Sequence, residues 1–105
     1  MIQRFDFNLT EDPDENGFQP FMSACILGGD PWEDVRPAIV ICPGGGYHCV
    51  CEYWEGERLA MAYAAAGFNA IVVNYTTHGG GVYPRQIREV ARAFEITREH
   101  AEEWH

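Results

Sequence analysis

The chain has 105 residues, enough for one small domain with a modest hydrophobic core. Hydrophobic residues make up 47% and charged residues 22%, which is typical of a folded, soluble domain. The net charge of −9 disfavours nucleic acid as a partner, because an acidic surface repels phosphate backbones. There is no lysine, which excludes a P-loop lysine and Schiff-base chemistry.

Neither a signal peptide nor a membrane span is expected from the sequence. The first residues lack an apolar segment, and the later apolar runs are far shorter than the roughly 20 residues that cross a bilayer. We therefore predict a cytoplasmic protein with no membrane contact. In that compartment the cysteines are expected to be reduced thiols rather than disulfides: Cys25, Cys42, Cys49 and Cys51.

Two apolar segments near the N-terminus predict a pair of strands. They cover residues 2–9 and 21–27, and the stretch 12–17 between them is rich in Asp, Asn, Pro and Gly, which favour turns. We expect the two strands to pair as an antiparallel hairpin within an N-terminal part spanning residues 1–35.

The next segments predict a strand, a helix and a second strand. Residues 38–42 are apolar throughout, which is typical of a central strand covered on both faces, and Cys42 should point into the sheet. A helix is predicted from Trp54 to Ala66, with Gly67 ending it. Residues 70–73 form the second strand, which implies a right-handed parallel crossover. The helical spacing rests on Leu59, Ala62, Tyr63 and Ala66.

A second helix is predicted to begin at Pro84, after a glycine-rich loop. One apolar stripe is expected to pack on the sheet; it consists of Ile87, Val90, Ala91, Phe94, Ala101 and Trp104. Residues 36–105 then form a βαβα unit, and the whole chain, 1–105, is predicted to be an incomplete α/β domain. A crossover helix normally delivers another parallel strand, so we expect the sheet to continue beyond these residues.

The glycine run that follows the strand at 38–42 is the strongest candidate site. Its place at the carboxyl end of a parallel strand is where open α/β sheets bind ligands. Glycines allow consecutive backbone N–H groups to approach a ligand, which suits a developing oxyanion. The phosphate-binding patterns G-x-x-x-x-G-K-[ST] and G-x-G-x-x-G do not fit, because lysine is absent and Cys49 replaces the last glycine. A plain glycine turn fits the residues equally well.

The surroundings of this run resemble the α/β-hydrolase esterases and lipases of the acetyl-xylan-esterase-like group. In that family a strand runs into P-G-G-G-Y, which is read here from Pro43 to Tyr47. The resemblance extends from Arg36 to the C-terminus and implies the N-terminal portion of an α/β-hydrolase sheet. It is carried by the segments 36–42, 55–57, 66–68, 73–75, 83–84 and 98–104.

The resemblance implies which residues take part in catalysis in the intact parent. Gly45 and Gly46 correspond to the oxyanion-hole segment of related lipases, and the substrate would be a small acyl ester or acetylated sugar, with no cofactor. Gly44, Tyr47 and His78 are weaker candidates for the substrate pocket. The family's G-x-S-x-G nucleophile, acid and histidine are not found, and the only serine, Ser23, lies in a predicted strand. We therefore expect the fold to be truncated before the nucleophile strand and the chain to be inactive alone.

A non-catalytic binding or assembly module is the alternative, with an anion or a metal bound at the glycine-rich loop. Thiolate and imidazole groups crowd into this region, although their spacing differs from common zinc sites: Cys42, His48, Cys49 and Cys51. His100 and His105 are expected at the surface. An unpaired sheet edge also predicts self-association.

Overall fold

The chain folds into one mixed sheet with helices on both faces. The computed structural model describes residues 3–11, 13, 17–28, 35–44, 53–77 and 85–104. In chain order their elements are β1 (Gln3–Asn8), β2 (Phe21–Ile26), β3 (Ala38–Ile41), a π-helical turn (Tyr53–Glu57), α1 (Arg58–Ala65), β4 (Asn69–Asn74), α2 (Arg85–Glu99) and α3 (Ala101–Trp104). None of the helices in these ranges is long and apolar enough to cross a membrane.

The strand order is β1-β2-β4-β3. The predicted hairpin is confirmed, because β1 and β2 pair antiparallel from Gln3 opposite Ile26 to Asn8 opposite Phe21. The predicted crossover is confirmed as a parallel pair of β3 and β4, which runs through the helix between them. The antiparallel pairing of β2 with β4 was not predicted. It inserts the hairpin into the sheet beside β4, so that β1, β4 and β3 all point the same way.

The central strand is β4 rather than β3. All six residues of β4 are buried, whereas in β3 only Ile41 is buried and Ala38 is exposed. The prediction of β3 as a strand covered on both faces was therefore wrong. Among the described residues β3 pairs with β4 alone and has no strand on its other side. Its apolar side chains are therefore less buried than the sequence predicted.

Side-chain alternation along β4 divides the core into two clusters. Ile71 and Val73 point towards α2 and α3, where they pack with Met22, Ala93 and Trp104. Ala70 and Val72 point to the opposite face, where the cluster is smaller and includes Cys25, Ile41 and Ala60 of α1. The sheet thus has a helix layer on each face, as expected for an α/β architecture.

The end of α1 was predicted correctly from its glycine. Gly67 has φ +95°, a conformation that other residues adopt only with strain. Its N–H donates to the carbonyl of Ala64, and the N–H of Phe68 donates to the carbonyl of Tyr63, both at 3.0 Å. Together with the edge-on contact of the Tyr63 and Phe68 rings, this pattern is a Schellman motif.

The face of α1 that contacts the sheet consists of small residues. Ala60 and Ala64 are buried, whereas Leu59 and Tyr63, which supported the helical spacing, are 42% and 36% exposed. Small side chains allow the helix axis to lie close to the sheet. The larger apolar residues of α1 consequently lie on its solvent-facing side.

We expect Ala60→Leu to lower the free energy of unfolding by about 1–3 kcal/mol, because overpacking forces helix and sheet apart. Ala60 is fully buried, and the void beside it measures only about 10 Å³, room for no more than a water molecule. Ala62→Leu on the exposed face is the matched control and should change stability little. Urea unfolding followed by circular dichroism measures both. Equal effects of the two substitutions would contradict this helix orientation.

The buried face of α2 also differs from the predicted stripe. Glu89, Ala93 and Ile96 are buried, while Ile87 and Phe94 are 60% and 43% exposed. The prediction assigned the core side to apolar residues and therefore missed an acid that faces inwards. Trp104 was placed correctly, since it is buried in the core cluster beneath α2.

Candidate functional site

The candidate site lies at the edge of the sheet where β3 and β4 end. These strands are parallel and in register, with Ile41 opposite Val72, so the residues that follow them emerge side by side. Cys42, Pro43 and Gly44 follow β3, and Tyr75 and Thr76 follow β4. The start of the predicted glycine loop therefore sits next to the first residues of the loop after β4.

The peptide unit between Pro43 and Gly44 is held at both of its polar groups. The hydroxyl of Tyr75 donates to the carbonyl oxygen of Pro43 in a buried hydrogen bond. The N–H of Gly44 donates to Oε1 of Glu55 over 3.2 Å. Pro43 itself is fully buried. The beginning of the glycine loop is consequently attached both to the strand layer and to the turn that opens α1.

The backbone of Gly44 lies close to the carboxylate of Glu55. A Cβ atom at this position would lie 2.8 Å from Oε1 of Glu55, so the flexible end of the Glu55 side chain would have to move away from the backbone. The glycine therefore serves a close approach between backbone and carboxylate. The N–H of Gly44 is taken by this carboxylate.

A buried carboxylate holds the loop that follows β4. Glu89 on α2 is 1% exposed and accepts two hydrogen bonds from Thr76, one from the backbone N–H at 2.7 Å and one from the hydroxyl at 2.5 Å. Gln86 donates to the carbonyl of Thr76 over 3.3 Å. All polar groups of Thr76 thus have partners on α2. The hydrogen bonds between Glu89 and Thr76 were not predicted from the sequence. The one signal in the sequence was an acidic residue on the sheet-facing side of an amphipathic helix.

A cleft of about 400 Å³ opens at this edge, on the side of the hairpin. It lies between the loop that follows β1 and the first turns of α2. Its lining consists of Thr10, Glu11, Pro13, Pro20, Thr76, Arg85 and Glu89.

One further polar group near this edge lacks a partner. The amide nitrogen Nδ2 of Asn74, the last residue of β4, is buried and makes no hydrogen bond. Asn74 lies on the α1 face of the sheet, because it alternates with Val72. A buried donor without an acceptor costs about 1–3 kcal/mol.

Comparisons with known proteins place this arrangement in a fold. The chain is 24% identical to an α/β hydrolase from a Medee basin deep-sea metagenome library and superposes on 41% of it with a TM-score of 0.84. This match includes 98% of the present chain, from the hairpin to the last helix. The chain belongs to the α/β-hydrolase fold.

Other hydrolases show the same relationship. The acetyl ester-xyloside bifunctional hydrolase of Caldicellulosiruptor lactoaceticus matches 95% of this chain at 23% identity, with a TM-score of 0.79, and the match covers 38% of that protein. In sequence, the chain is 31% identical to endo-1,4-beta-xylanase B of Butyrivibrio fibrisolvens over 98% of its length. It spans only 17% of that xylanase. No protein-family model matches the sequence.

These matches confirm the predicted α/β-hydrolase relationship and the partial fold. The chain corresponds to about two fifths of the matched hydrolases, as an N-terminal part of the sheet would. Hydrolases and esterases are the proteins that it resembles.

Most of the predicted site residues lie outside the described part of this hydrolase fold. This applies to the oxyanion candidates Gly45 and Gly46, to Tyr47 and His78, and to His48, Cys49 and Cys51 of the zinc hypothesis. The roles of these residues stay predictions. Among the candidates only Gly44 and Cys42 fall within the described ranges.

Cys42 does not point into the sheet as predicted. It follows β3 rather than belonging to it, and its side chain is exposed at the sheet edge. Partial desolvation of the sulfur nevertheless raises the pKa of the thiol, so that Cys42 is a neutral thiol at pH 7 and a weak nucleophile. Within the ranges that the structure describes, no group of three or more His, Cys, Asp and Glu side chains is arranged to hold a metal ion.

Ser23 occupies the structural position that its sequence context predicted. It lies within β2, is 3% exposed, and its hydroxyl accepts a hydrogen bond from Nη2 of Arg4 at 3.1 Å. The two neighbouring strands, β1 and β4, both pair with β2 at this residue. A serine enclosed in this way has no exposed elbow from which to attack a substrate.

His100 was expected at the surface but is half-buried. Its ring stacks on Trp104 with centroids 4.6 Å apart and contacts Phe7 at 5.1 Å. Its Nδ1 lies 2.8 Å from the carbonyl oxygen of Ile96. The residue therefore helps to pack the end of the helical layer against β1.

Proposed function

We propose that this chain supplies the oxyanion-hole part of a serine carboxylic-ester hydrolase whose nucleophile comes from outside these 105 residues. The observation that carries the proposal is the fixed start of the glycine loop at the carboxyl edge of the sheet. Its first peptide unit is bonded on both sides, by Tyr75 and Glu55, within an α/β-hydrolase fold. That edge is where hydrolases of this fold place their catalytic groups.

In this proposal the backbone N–H groups of Gly45 and Gly46 donate to the negative oxygen that develops when a serine attacks the ester carbonyl. A histidine takes the proton of the serine and passes it to the leaving alcohol. The serine would be carried by a further parallel strand. Such a strand has a place beside β3, whose second edge has no partner among the described residues.

The substrate class proposed is a small acyl ester, with acetylated sugars as the first choice. The names of two matched proteins support this choice, since one is an acetyl ester-xyloside hydrolase and the other a xylanase. The resemblance of the loop to P-G-G-G-Y esterases points in the same direction. Neither metal nor organic cofactor takes part in the proposed reaction.

The proposal is tested by complementation. The 105-residue chain alone is expected not to hydrolyse p-nitrophenyl acetate, since Ser23 is enclosed in β2. It is then co-expressed with the Caldicellulosiruptor hydrolase from which the segment matched by this chain has been removed. We expect hydrolysis that a serine-directed phosphonate abolishes.

Two substitutions at one position separate the oxyanion role from general disturbance of the loop. Gly46→Pro removes the N–H and should lower kcat of the complemented enzyme about 100- to 1,000-fold, as loss of one oxyanion donor does. Gly46→Ala retains the N–H and is the matched control. Phosphonate-sensitive hydrolysis by the chain alone, or equal kcat values for the proline and alanine variants, would contradict the proposal.

A further inference from the structure

We propose that Glu55 and Tyr75 are positioning residues, which lock the peptide unit between Pro43 and Gly44 in one orientation and thereby aim the N–H groups of the following glycines. The inference rests on the proposed function, because it gives that orientation a catalytic purpose. Neither residue is expected to touch the substrate.

The geometry of the two hydrogen bonds carries the inference. The carbonyl of Pro43 and the N–H of Gly44 belong to the same planar unit and point in opposite directions. Tyr75 binds the first and Glu55 the second, so a rotation of this plane would break both bonds at once. One bond comes from the residue after β4 and the other from the turn before α1, so the plane is fixed between two separate elements.

Without these two hydrogen bonds, the peptide plane between Pro43 and Gly44 would be free to rotate. Gly44 has no Cβ and presents no steric barrier to a peptide flip. A larger residue would supply that barrier, and its Cβ would displace the carboxylate of Glu55. The chain thus combines a residue of high conformational freedom with two side chains that remove this freedom.

The charge of Glu55 adds to the effect. A carboxylate that accepts from an N–H group forms a stronger bond than a neutral acceptor. A peptide unit bonded at both ends is also more polarised than one bonded at a single end. The negative charge is held at Gly44, one residue before the proposed donors Gly45 and Gly46.

The test follows the amide of Gly44 by ¹⁵N–¹H NMR in the 105-residue chain. In the wild type we expect its proton resonance to lie downfield, because the N–H donates to the carboxylate of Glu55. Glu55→Leu should move this resonance upfield, and Glu55→Gln, which keeps an acceptor oxygen, should move it less. Glu57→Leu removes the same charge from an exposed residue two positions away and should leave the resonance in place.

Hydrogen exchange and kinetics then test the consequence for the loop. Glu55→Leu and Tyr75→Phe should each speed amide exchange at Gly45 and Gly46 about tenfold, the ratio that one ordinary hydrogen bond supplies. Amide exchange in the variant that carries both substitutions should be little faster than in the more affected single variant, because both hydrogen bonds hold the same peptide plane. In the complemented enzyme both variants should lower kcat with little change in KM, and Glu55→Gln should recover most of the loss.

The outcomes distinguish this inference from the proposed function. A Gly44 amide resonance that is the same in the wild type and in Glu55→Leu, or equal effects of Glu55→Leu and Glu57→Leu on exchange, would overturn the lock. If the lock is found but Gly46→Pro leaves kcat unchanged, the inference about the peptide plane stands and the oxyanion proposal fails.

Discussion

Glu89→Leu should lower the free energy of unfolding by about 3 kcal/mol, because it leaves two buried donors without an acceptor. The N–H and the hydroxyl of Thr76 both bind this carboxylate, and both residues are essentially inaccessible to solvent. Leucine has a similar volume, so the loss comes from hydrogen bonding rather than from a cavity. Urea unfolding followed by circular dichroism measures the effect.

Two further substitutions isolate the role of the Glu89 carboxylate. Glu89→Gln keeps one acceptor oxygen for the N–H of Thr76 and should cost about 1 kcal/mol, the net value of a single bond. Glu95→Leu removes an acid from the exposed side of the same helix, where it meets Arg92 at 3.0 Å, and should change stability by less than about 1 kcal/mol. The interpretation would be wrong if Glu89→Leu and Glu95→Leu had equal effects.

Asn69→Ala should lower the free energy of unfolding by about 2 kcal/mol, because one buried side chain connects three elements. Its Oδ1 accepts from the N–H of Leu27, just after β2, at 2.9 Å. Its Nδ2 donates to the carbonyl oxygen of Trp104, at the end of α3, over 3.0 Å. The first residue of β4 thereby fixes both the inner hairpin strand and the last helix.

The control for Asn69 is Asn8→Ala, at the exposed end of β1, which should change stability little. Asn69→Asp separates the two bonds, since it retains the acceptor for Leu27 and loses the donor for Trp104. In this variant the rate of backbone amide exchange should therefore increase in α3 and stay low at the N–H of Leu27. A uniform increase across the sheet in Asn69→Asp, or equal losses in the Asn69→Ala and Asn8→Ala variants, would argue against this connecting role.

The elements of the fold could be predicted because their signals are local. Turn residues between two apolar segments predicted the hairpin, and Gly67 predicted the end of α1. The order of the strands could not be predicted in this way, since the partners β2 and β4 are far apart in sequence and nothing in either segment specifies the other. The buried sides of α1 and α2 were missed because they depend on fit and pairing: Ala60 allows close approach, and Glu89 has its partner in Thr76.

The position of the candidate site could be predicted from the sequence, but the hydrogen bonds that hold it could not. A glycine run after a parallel strand must emerge at the carboxyl edge, which the position of Gly44 confirms. The residues that bind its first peptide unit come from elsewhere in the chain: Glu55 lies 11 positions away from Gly44, and Tyr75 lies 32 positions away from Pro43. Nothing in the sequence around Pro43 and Gly44 indicates that their peptide bond has two partners.

The insertion of β2 between β1 and β4 has a consequence for synthesis on the ribosome. The hairpin is made first, but the strand that covers the inner edge of β2 follows only after β3 and α1. Until β4 emerges, Met22, Ala24 and Ile26 have no core to join, and an open strand edge is available to other chains. We therefore expect the yield of folded chain to depend on the rate of translation between β2 and β4. Chaperones that bind the exposed hairpin should raise this yield.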